Sequence, residues 1–475
     1  MAGRRGFLTT AEIVEITGGS LLRGRSGDEF TGVCTDSRNI LPGCLFIPLS
    51  GDRYDGHDFV DEALRKGAAG SLIGTGRRPP DDGDADAVMI SVPDTLNALG
   101  DIAHFWRKRF TVPVIAITGS SGKTSTKEMA AAVASSAFHV HKTPGNYNNL
   151  IGVPLTLLQM NEQQELVILE MGTNRRGEIA RLTDIAEPDI GVITNIGPAH
   201  LEGLGTIDVV RDEKADLFLH MRGRGRAVLN ADDPATPLIA EILDIPQVTF
   251  GVGHEAFLRA VDIKAVAVDS MRFTIRMGKA ERNVTMNALG VHQVSNALAA
   301  AAAAWCAGLP LDDICEGLAR YRPVQGRMTV RSLKNGAFLI DDSYNANPAS
   351  VREALRALRE RKGAGRLVVI LGDMLELGDR APEMHEEIGR YLASTGVDRV
   401  YLRGDFTGSV TAGALRGGMK QEGISPAGDP AVVARDLARY VTAGDWILIK
   451  GSRMLRMEEF VDALLKTIGP AELNR

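Results

Sequence analysis

The sequence predicts an α/β protein of three domains: an N-terminal mixed α/β domain, a central α/β domain, and a C-terminal Rossmann-like α/β domain. Three observations carry this. The chain has 475 residues, and at roughly 100–200 residues per domain that makes about three. From position 112 onward, short apolar runs alternate with helical stretches, as buried parallel strands and their crossover helices do. Pattern breaks near 93 and at Tyr321-Arg322-Pro323 divide the chain into 1–93, 94–323 and 324–475.

Composition narrows the class. Hydrophobic residues make up 44% and charged residues 24% of the chain, as in an ordinary globular protein. The net charge of −6 argues against non-specific nucleic-acid binding, which needs a basic face. The start of the chain, residues 1–8, is basic but lacks the apolar core of a signal peptide. The longest apolar stretch, 297–309, is Ala-rich and falls short of the ~18 residues that argue for a membrane span. Cys34, Cys44, Cys306 and Cys315 form no CxxC pair and fit small core residues in a reducing, cytoplasmic compartment.

In chain order, Thr9-Thr10-Ala11-Glu12 has the form of a capping box opening a helix. Residues 44–49 suggest a strand between Gly-containing turns. Residues 94–110 look helical, with Leu96, Leu99, Ile102 and Trp106 on one face. In the central region apolar runs end at Ile117, Glu170 and Asn195, with a helix of small residues from the glycine loop through Ala137. Helices follow at 295–308 and 312–321. The last third repeats the pattern at 367–372, 400–404 and 446–451, each run followed by Gly, which predicts a second doubly wound sheet with its loops toward a ligand.

The chemistry centres on Thr118-Gly119-Ser120-Ser121-Gly122-Lys123-Thr124-Ser125. A strand, a Gly-rich turn and a helix N-terminus direct backbone N–H groups and the positive end of the helix dipole at phosphate oxygens. Lys123 adds a point charge for the β/γ-phosphates and the Thr124 hydroxyl can ligate Mg²⁺, so the central domain is a P-loop domain that takes ATP. The longer GxxxxGK[ST] form would need Gly at 117, where Ile117 stands. Glu170 closes the next strand, the position of a Mg²⁺ ligand, or equally of a strand-end carboxylate in solvent. His200 follows a further strand and can ligate a metal, although a lone His is more often structural. Lys214 lies in a helix-like run whose composition alone predicts a solvated face.

These motifs occur in one order: TGSSGKTST, EMGTN, TNIGPAHLEG, the helix of Lys214, GVHQVSNALAA, QGRM, IDDSYNANPAS, GDMLELGDRAPEMH and IKGSRMLRME. Together they resemble the Mur ligases over roughly residues 31–460. Asp36-Ser37-Arg38, Pro42-Gly43 and Asp55-Gly56-His57 are similar to that family's UDP-binding domain. The resemblance implies a UDP-sugar domain, a central ATPase and a C-terminal domain for the incoming amine. The activity implied is ATP-dependent amide-bond formation through an acyl phosphate. The implied substrates are a UDP-MurNAc-tripeptide and D-alanyl-D-alanine, in peptidoglycan precursor synthesis, by a monomer that engages neither nucleic acid nor membrane.

It also implies roles for individual residues. Lys123, His200 and Lys214 become catalytic; Thr124, Glu170, His200 and Lys214 become Mg²⁺ ligands, with Lys214 carbamylated into an anionic oxygen donor. Asn296, Arg327 and Asp341 become nucleotide contacts alongside the loop. Ser37, Arg38, Asn146, Asn149, Thr173 and Asn345 become substrate contacts. Gln293 departs from the commoner Asn of the family's GxHN form, while His292 and Asn296 keep their places. The DDSYNANP segment favours an enzyme adding a dipeptide; an Asp-Asn-Pro-Arg type motif, typical of the family member adding the third amino acid, does not occur. A P-loop switch or kinase would need neither flanking domain, and no GxGxxG follows the C-terminal strands to support a nicotinamide enzyme.

Overall fold

The computed structural model describes residues 6–51, 54–79, 86–221, 223 and 225–471. The first five residues, part of the basic N-terminal segment, lie outside the described residues. Two compact units emerge: one of Met1–Val114, His141–Met171 and Arg181–Glu187, the other of Ile115–Val140, Gly172–Ala180 and Pro188–Arg475.

The first unit opens on the expected capping box. Thr9 accepts from the Glu12 amide (3.2 Å) and the Glu12 carboxylate accepts from the Thr9 amide (2.8 Å), starting the helix Thr10–Thr17. A five-stranded sheet runs in the order Ser20–Arg23, Val88–Val92, Gly70–Gly74, Leu45–Phe46, Val33–Cys34. Only its first pairing is antiparallel. The strand expected over 44–49 shrinks to Leu45–Phe46. Ile47 still donates to Cys34 O (2.8 Å), but Pro48 has no N–H with which to continue the ladder. The helix Thr95–Arg107 is capped by Asp94, and its apolar face, Leu99 and Ile102, lies in the core with Leu72, Ile90 and Ile13.

In the second unit one sheet holds, in spatial order, Ala280–Asn287, Ser270–Met277, Leu258–Ala267, Gln247–Gly251, Arg226–Asn230, Ile190–Ile193 and Val114–Thr118. The five strands from Leu258–Ala267 to Val114–Thr118 are mutually parallel, and the apolar runs of Ile190–Ile193 and Val114–Thr118 are buried on both faces as the middle of a parallel sheet requires. The helix Lys123–Ala134 ends three residues before the expected Ala137. The Ala-rich helix spans Val291–Cys306, and Ala297 to Ala303 are fully buried; methyl side chains let it pack closely on Lys123–Ala134. Among the described residues no helix is long and apolar enough to cross a membrane.

The other sheet of this unit runs Thr329–Ser332, Phe338–Asp342, Trp446–Lys450, Leu367–Gly372, Arg399–Arg403, Ile424–Pro426, parallel except for the first pair. Helices cover both faces, giving the expected doubly wound form. The cysteines form no disulfide; Cys34, Cys44 and Cys315 are buried.

Candidate active site

The fully buried strand Val114–Thr118 runs into the loop, and the helix Lys123–Ala134 leaves it. Two glycines make the turn possible. Gly119 (φ 145°) and Gly122 (φ 80°) occupy left-handed space, and a Cβ would fall 1.9 Å from Thr194 Oγ1 at the first and 2.2 Å from Asn296 Oδ1 at the second. The segment after the neighbouring strand clamps the loop from behind. Ser120 N donates to Asn195 O (2.9 Å), Ser121 N to Asn195 Oδ1 (3.0 Å), and Thr194 Oγ1 to Ser121 O (2.6 Å). Gly197 N donates to Ser120 Oγ (2.8 Å). Thr118 and Ser125 are buried in this framework, and Lys123 Nζ donates to Gly119 O (2.7 Å). The first amides of the helix have no intrahelical acceptor, so this helix start, with the positive end of its dipole, favours an anion such as a polyphosphate.

The DDSYNANP and QGRM segments meet this loop. Arg327 Nη2 donates to Thr124 Oγ1 (3.2 Å), and its guanidinium lies 4.0 Å from the centre of the Tyr344 ring. Asn347 caps the helix Pro348–Arg361 and also donates from Nδ2 to Ser120 O (3.2 Å). Asp341 is buried; its Oδ1 accepts from Ser343 Oγ (2.6 Å), and its Oδ2 has no partner. Asn345 O accepts from Lys450 Nζ (3.0 Å), whose ammonium also pairs with Asp342 inside the fold. Asn296 is buried behind Gly122, 3.3 Å from Gln293 Oε1. Burial, then the charge of Lys450, holds His292 at about 4, so it is neutral at physiological pH.

His200 has φ 56° and ends the clamp segment. Glu376 Oε2 lies 2.6 Å from its Nδ1, off the line of an aligned hydrogen bond. The His200 contact, against burial, and then Lys123 hold the Glu376 carboxyl below its usual range. Lys214 corrects the sequence expectation of a solvated helix face: it is 1% exposed on the helix Ile207–Leu219. Composition cannot show that this short helix is covered by neighbouring chain. Burial first, and Lys123 second, bring Lys214 down to about 7. Its neighbour Glu213 is buried too and accepts from Gly177 N (2.7 Å), Ile179 N (2.8 Å) and Thr173 Oγ1 (3.0 Å). The Thr173 hydroxyl is therefore engaged within the fold.

In the first unit Glu170 is buried at its strand end, which excludes the solvent-facing alternative; its Oε1 accepts from Asn148 Nδ2 (2.8 Å). Asn146 and Asn149 flank Asn148 and are exposed, Asn149 accepting from Gly152 N (2.9 Å) at a helix start. Arg38 is exposed and forks onto Asp36 through Nε and Nη2, both at 2.8 Å, which holds Asp36 at about 2. Ser37 is buried beside it, its carbonyl accepting from Lys66 Nζ (2.9 Å). His57 Nε2 accepts from Gly74 N (3.1 Å) while its Nδ1 meets Asp55 (2.7 Å), so the DGH segment braces the end of the sheet's middle strand.

Sequence reasoning did not single out Asn195, Asn347 or Glu376. Asn347 had a signal, Asn before Pro at a helix start; the other two are recognisable only by what they touch. Among the described residues no three His, Cys, Asp or Glu side chains gather into a ready-made metal cage. Mg²⁺ is ordinarily held by one or two protein ligands together with phosphates and water, and the Thr124 hydroxyl at the loop's helix start suits that arrangement.

A short strand–loop–helix phosphate clamp on a parallel sheet, with a doubly wound sheet supplying Arg327 and Asn347 to its rim, defines an enzyme of the P-loop ligase type. Comparison with known proteins makes this specific. Models of the Mur ligase family catalytic domain, middle domain and glutamate ligase domain match residues 29–107, 117–304 and 326–453. The UDP-N-acetylmuramoyl-tripeptide--D-alanyl-D-alanine ligase of Bacillus subtilis is 35% identical over 436 residues, covering 92% of this chain and 93% of that relative. A crystal structure of MurF from Acinetobacter baumannii superposes with a TM-score of 0.87 at 31% identity, over 96% of this chain and 98% of that one. The MurF ligase of Thermotoga maritima, solved in complex with ADP, gives 0.81 at 30% identity over 92% and 97%. The chain belongs to the Mur ligase family.

Proposed function

We infer that this chain is an ATP-dependent ligase that adds D-alanyl-D-alanine to UDP-N-acetylmuramoyl-tripeptide in peptidoglycan precursor synthesis. The observation that carries the reading is the clamped loop Thr118 to Ser125 with Arg327 on Thr124, in a chain so similar along its length to ligases of that name. A carboxylate is a poor electrophile, and phosphorylation by ATP supplies its leaving group. Phosphoryl transfer then needs positioning and neutralised charge more than covalent help from the protein.

Residues keep the roles proposed from sequence. Lys123 and the loop amides take the phosphates, with Asn296, Arg327 and Asp341 as further nucleotide contacts. Thr124, His200, Lys214 and Glu170 are the proposed Mg²⁺ ligands, and Mg²⁺ would neutralise charge on the transferring phosphoryl group. Lys214 suits carbamylation because only an uncharged amine adds CO₂, and burial keeps a large uncharged fraction at neutral pH. Ser37, Arg38, Asn146, Asn149, Thr173 and Asn345 are the proposed substrate contacts. Residues 1–93, 94–323 and 324–475 are assigned to the UDP-sugar, ATP and the incoming amine, in a cytoplasmic monomer.

The test is phosphate release with each substrate omitted in turn. Release should require both UDP-MurNAc-tripeptide and D-alanyl-D-alanine. ATP turnover without either would sink the ligase reading, and turnover with a single diamino acid would redirect it to another member of the family.

A further inference from the structure

Glu376 is an acidic residue set against the cationic side of the site. It belongs to the GDMLELGD segment, to which sequence reasoning gave no residue-level role. That segment is firmly built. The Asp373 carboxylate accepts from Asp405 N (2.6 Å), and Asp373 O accepts from Ser452 N (3.0 Å). Met374 N donates to the buried His385 Nε2 (3.0 Å), and Leu375 N to Ser452 Oγ (2.8 Å). Glu376 then turns into left-handed space (φ 64°), which few non-glycine residues occupy. Its carbonyl accepts from Glu202 N (3.1 Å), and its carboxylate reaches His200 Nδ1 at 2.6 Å. The C-terminal sheet thus delivers one carboxylate, through a strained but anchored turn, to the segment that clamps the phosphate loop.

Its side chain remains 51% exposed, so it has room for a further partner. The incoming amine is the one reactant that arrives as a cation, since an α-amino group has a pKa of about 8. Lys123, Arg327 and a bound metal ion would all repel it. We propose that Glu376 receives the ammonium group of the incoming dipeptide and holds it toward the acyl phosphate. This assignment rests on the ligase reading above. In the step it serves, the nitrogen forms the N–C bond as the C–O bond to phosphate breaks. Of the two protons the ammonium loses, one leaves on the released phosphate and one passes to water.

The test compares two nucleophiles on full-length Glu376→Gln and Glu376→Asp proteins. Hydroxylamine is uncharged at neutral pH and intercepts the same acyl phosphate as a hydroxamate. With Glu376→Gln, kcat/KM for D-alanyl-D-alanine should fall about 10- to 100-fold, the range for losing one hydrogen bond to a charged group. Hydroxamate formation from UDP-MurNAc-tripeptide and ATP should stay within about threefold, because its nucleophile carries no charge to be recognised. Glu376→Asp should recover part of the dipeptide activity. Equal losses with both nucleophiles would place Glu376 in the activation step, as a support for His200 or a metal ligand, and overturn the proposal. Unchanged dipeptide kinetics would overturn it as well. A wild-type protein that forms no hydroxamate would instead bring down the ligase reading itself.

Discussion

Replacing Lys214 by methionine should abolish ligation yet stabilise the fold near neutral pH, and the stabilisation should shrink as pH rises. Lys214 is 1% exposed, and burial, followed by the charge of Lys123, lowers it to about 7 despite the favourable charge of Glu213. In the unfolded chain it returns to the ordinary lysine value of about 10.4. Between those values the unfolded chain holds a proton that the folded chain lacks, so this group makes stability rise with pH from about 7 to about 10. Below about pH 7 both states hold the proton, and the folded state bears the full cost of a buried ammonium. Each pH unit inside the window is worth about 1.4 kcal/mol, so about 2–3 kcal/mol accumulates between about pH 7 and pH 9.

Methionine fills similar space and carries no such dependence, while every other titrating group is common to both proteins. The stability of the variant minus that of wild type should therefore fall by about 2–3 kcal/mol from about pH 7 to pH 9. Urea titrations followed by tryptophan fluorescence, in CO₂-depleted buffer with EDTA, provide the difference curve. Adding bicarbonate should stabilise wild type alone, since carbamylation joins CO₂ to the uncharged amine and releases a proton. A flat difference curve would refute the burial argument. A bicarbonate response in both proteins would refute the assignment of carbamylation to Lys214.

Other outcomes follow from the same structure. Gly122→Ala forces a Cβ to within 2.2 Å of Asn296 Oδ1 at φ 80°, so ADP affinity measured by calorimetry should drop at least about tenfold while circular dichroism stays native. Affinity within twofold or so of wild type would contradict the steric argument. Lys123→Ala should abolish ligation with the fold intact; more than about a tenth of wild-type activity would be too much for loss of a phosphate clamp worth several kcal/mol. Asp342→Ala leaves the Lys450 ammonium, 2% exposed, without its carboxylate, and should cost about 3–5 kcal/mol of stability in denaturant titrations. Adding Lys450→Met to that variant should recover much of the loss, because no buried charge then remains unpaired.

The sequence by itself determined what depends on neighbours in the chain. An apolar strand, glycines at 119 and 122 and a helix start after Gly122 are contiguous, and their order alone predicts a phosphate-binding turn. The capping box at Thr9 was legible for the same reason. The ordered motifs pointed to the family. Tertiary structure decided whatever joins distant segments. Arg327 meets Thr124 across 203 residues of chain, and Asn347 meets Ser120 across 227. Lys214 has the sequence surroundings of a surface helix, yet folding buries it and so brings its pKa down to about 7. The opening loop is thus written in local backbone geometry, which short-range sterics impose. The electrostatics around it, from the lowered pKa of Lys214 to Glu376 beside His200, arise only when folding removes water and brings charges from remote segments together.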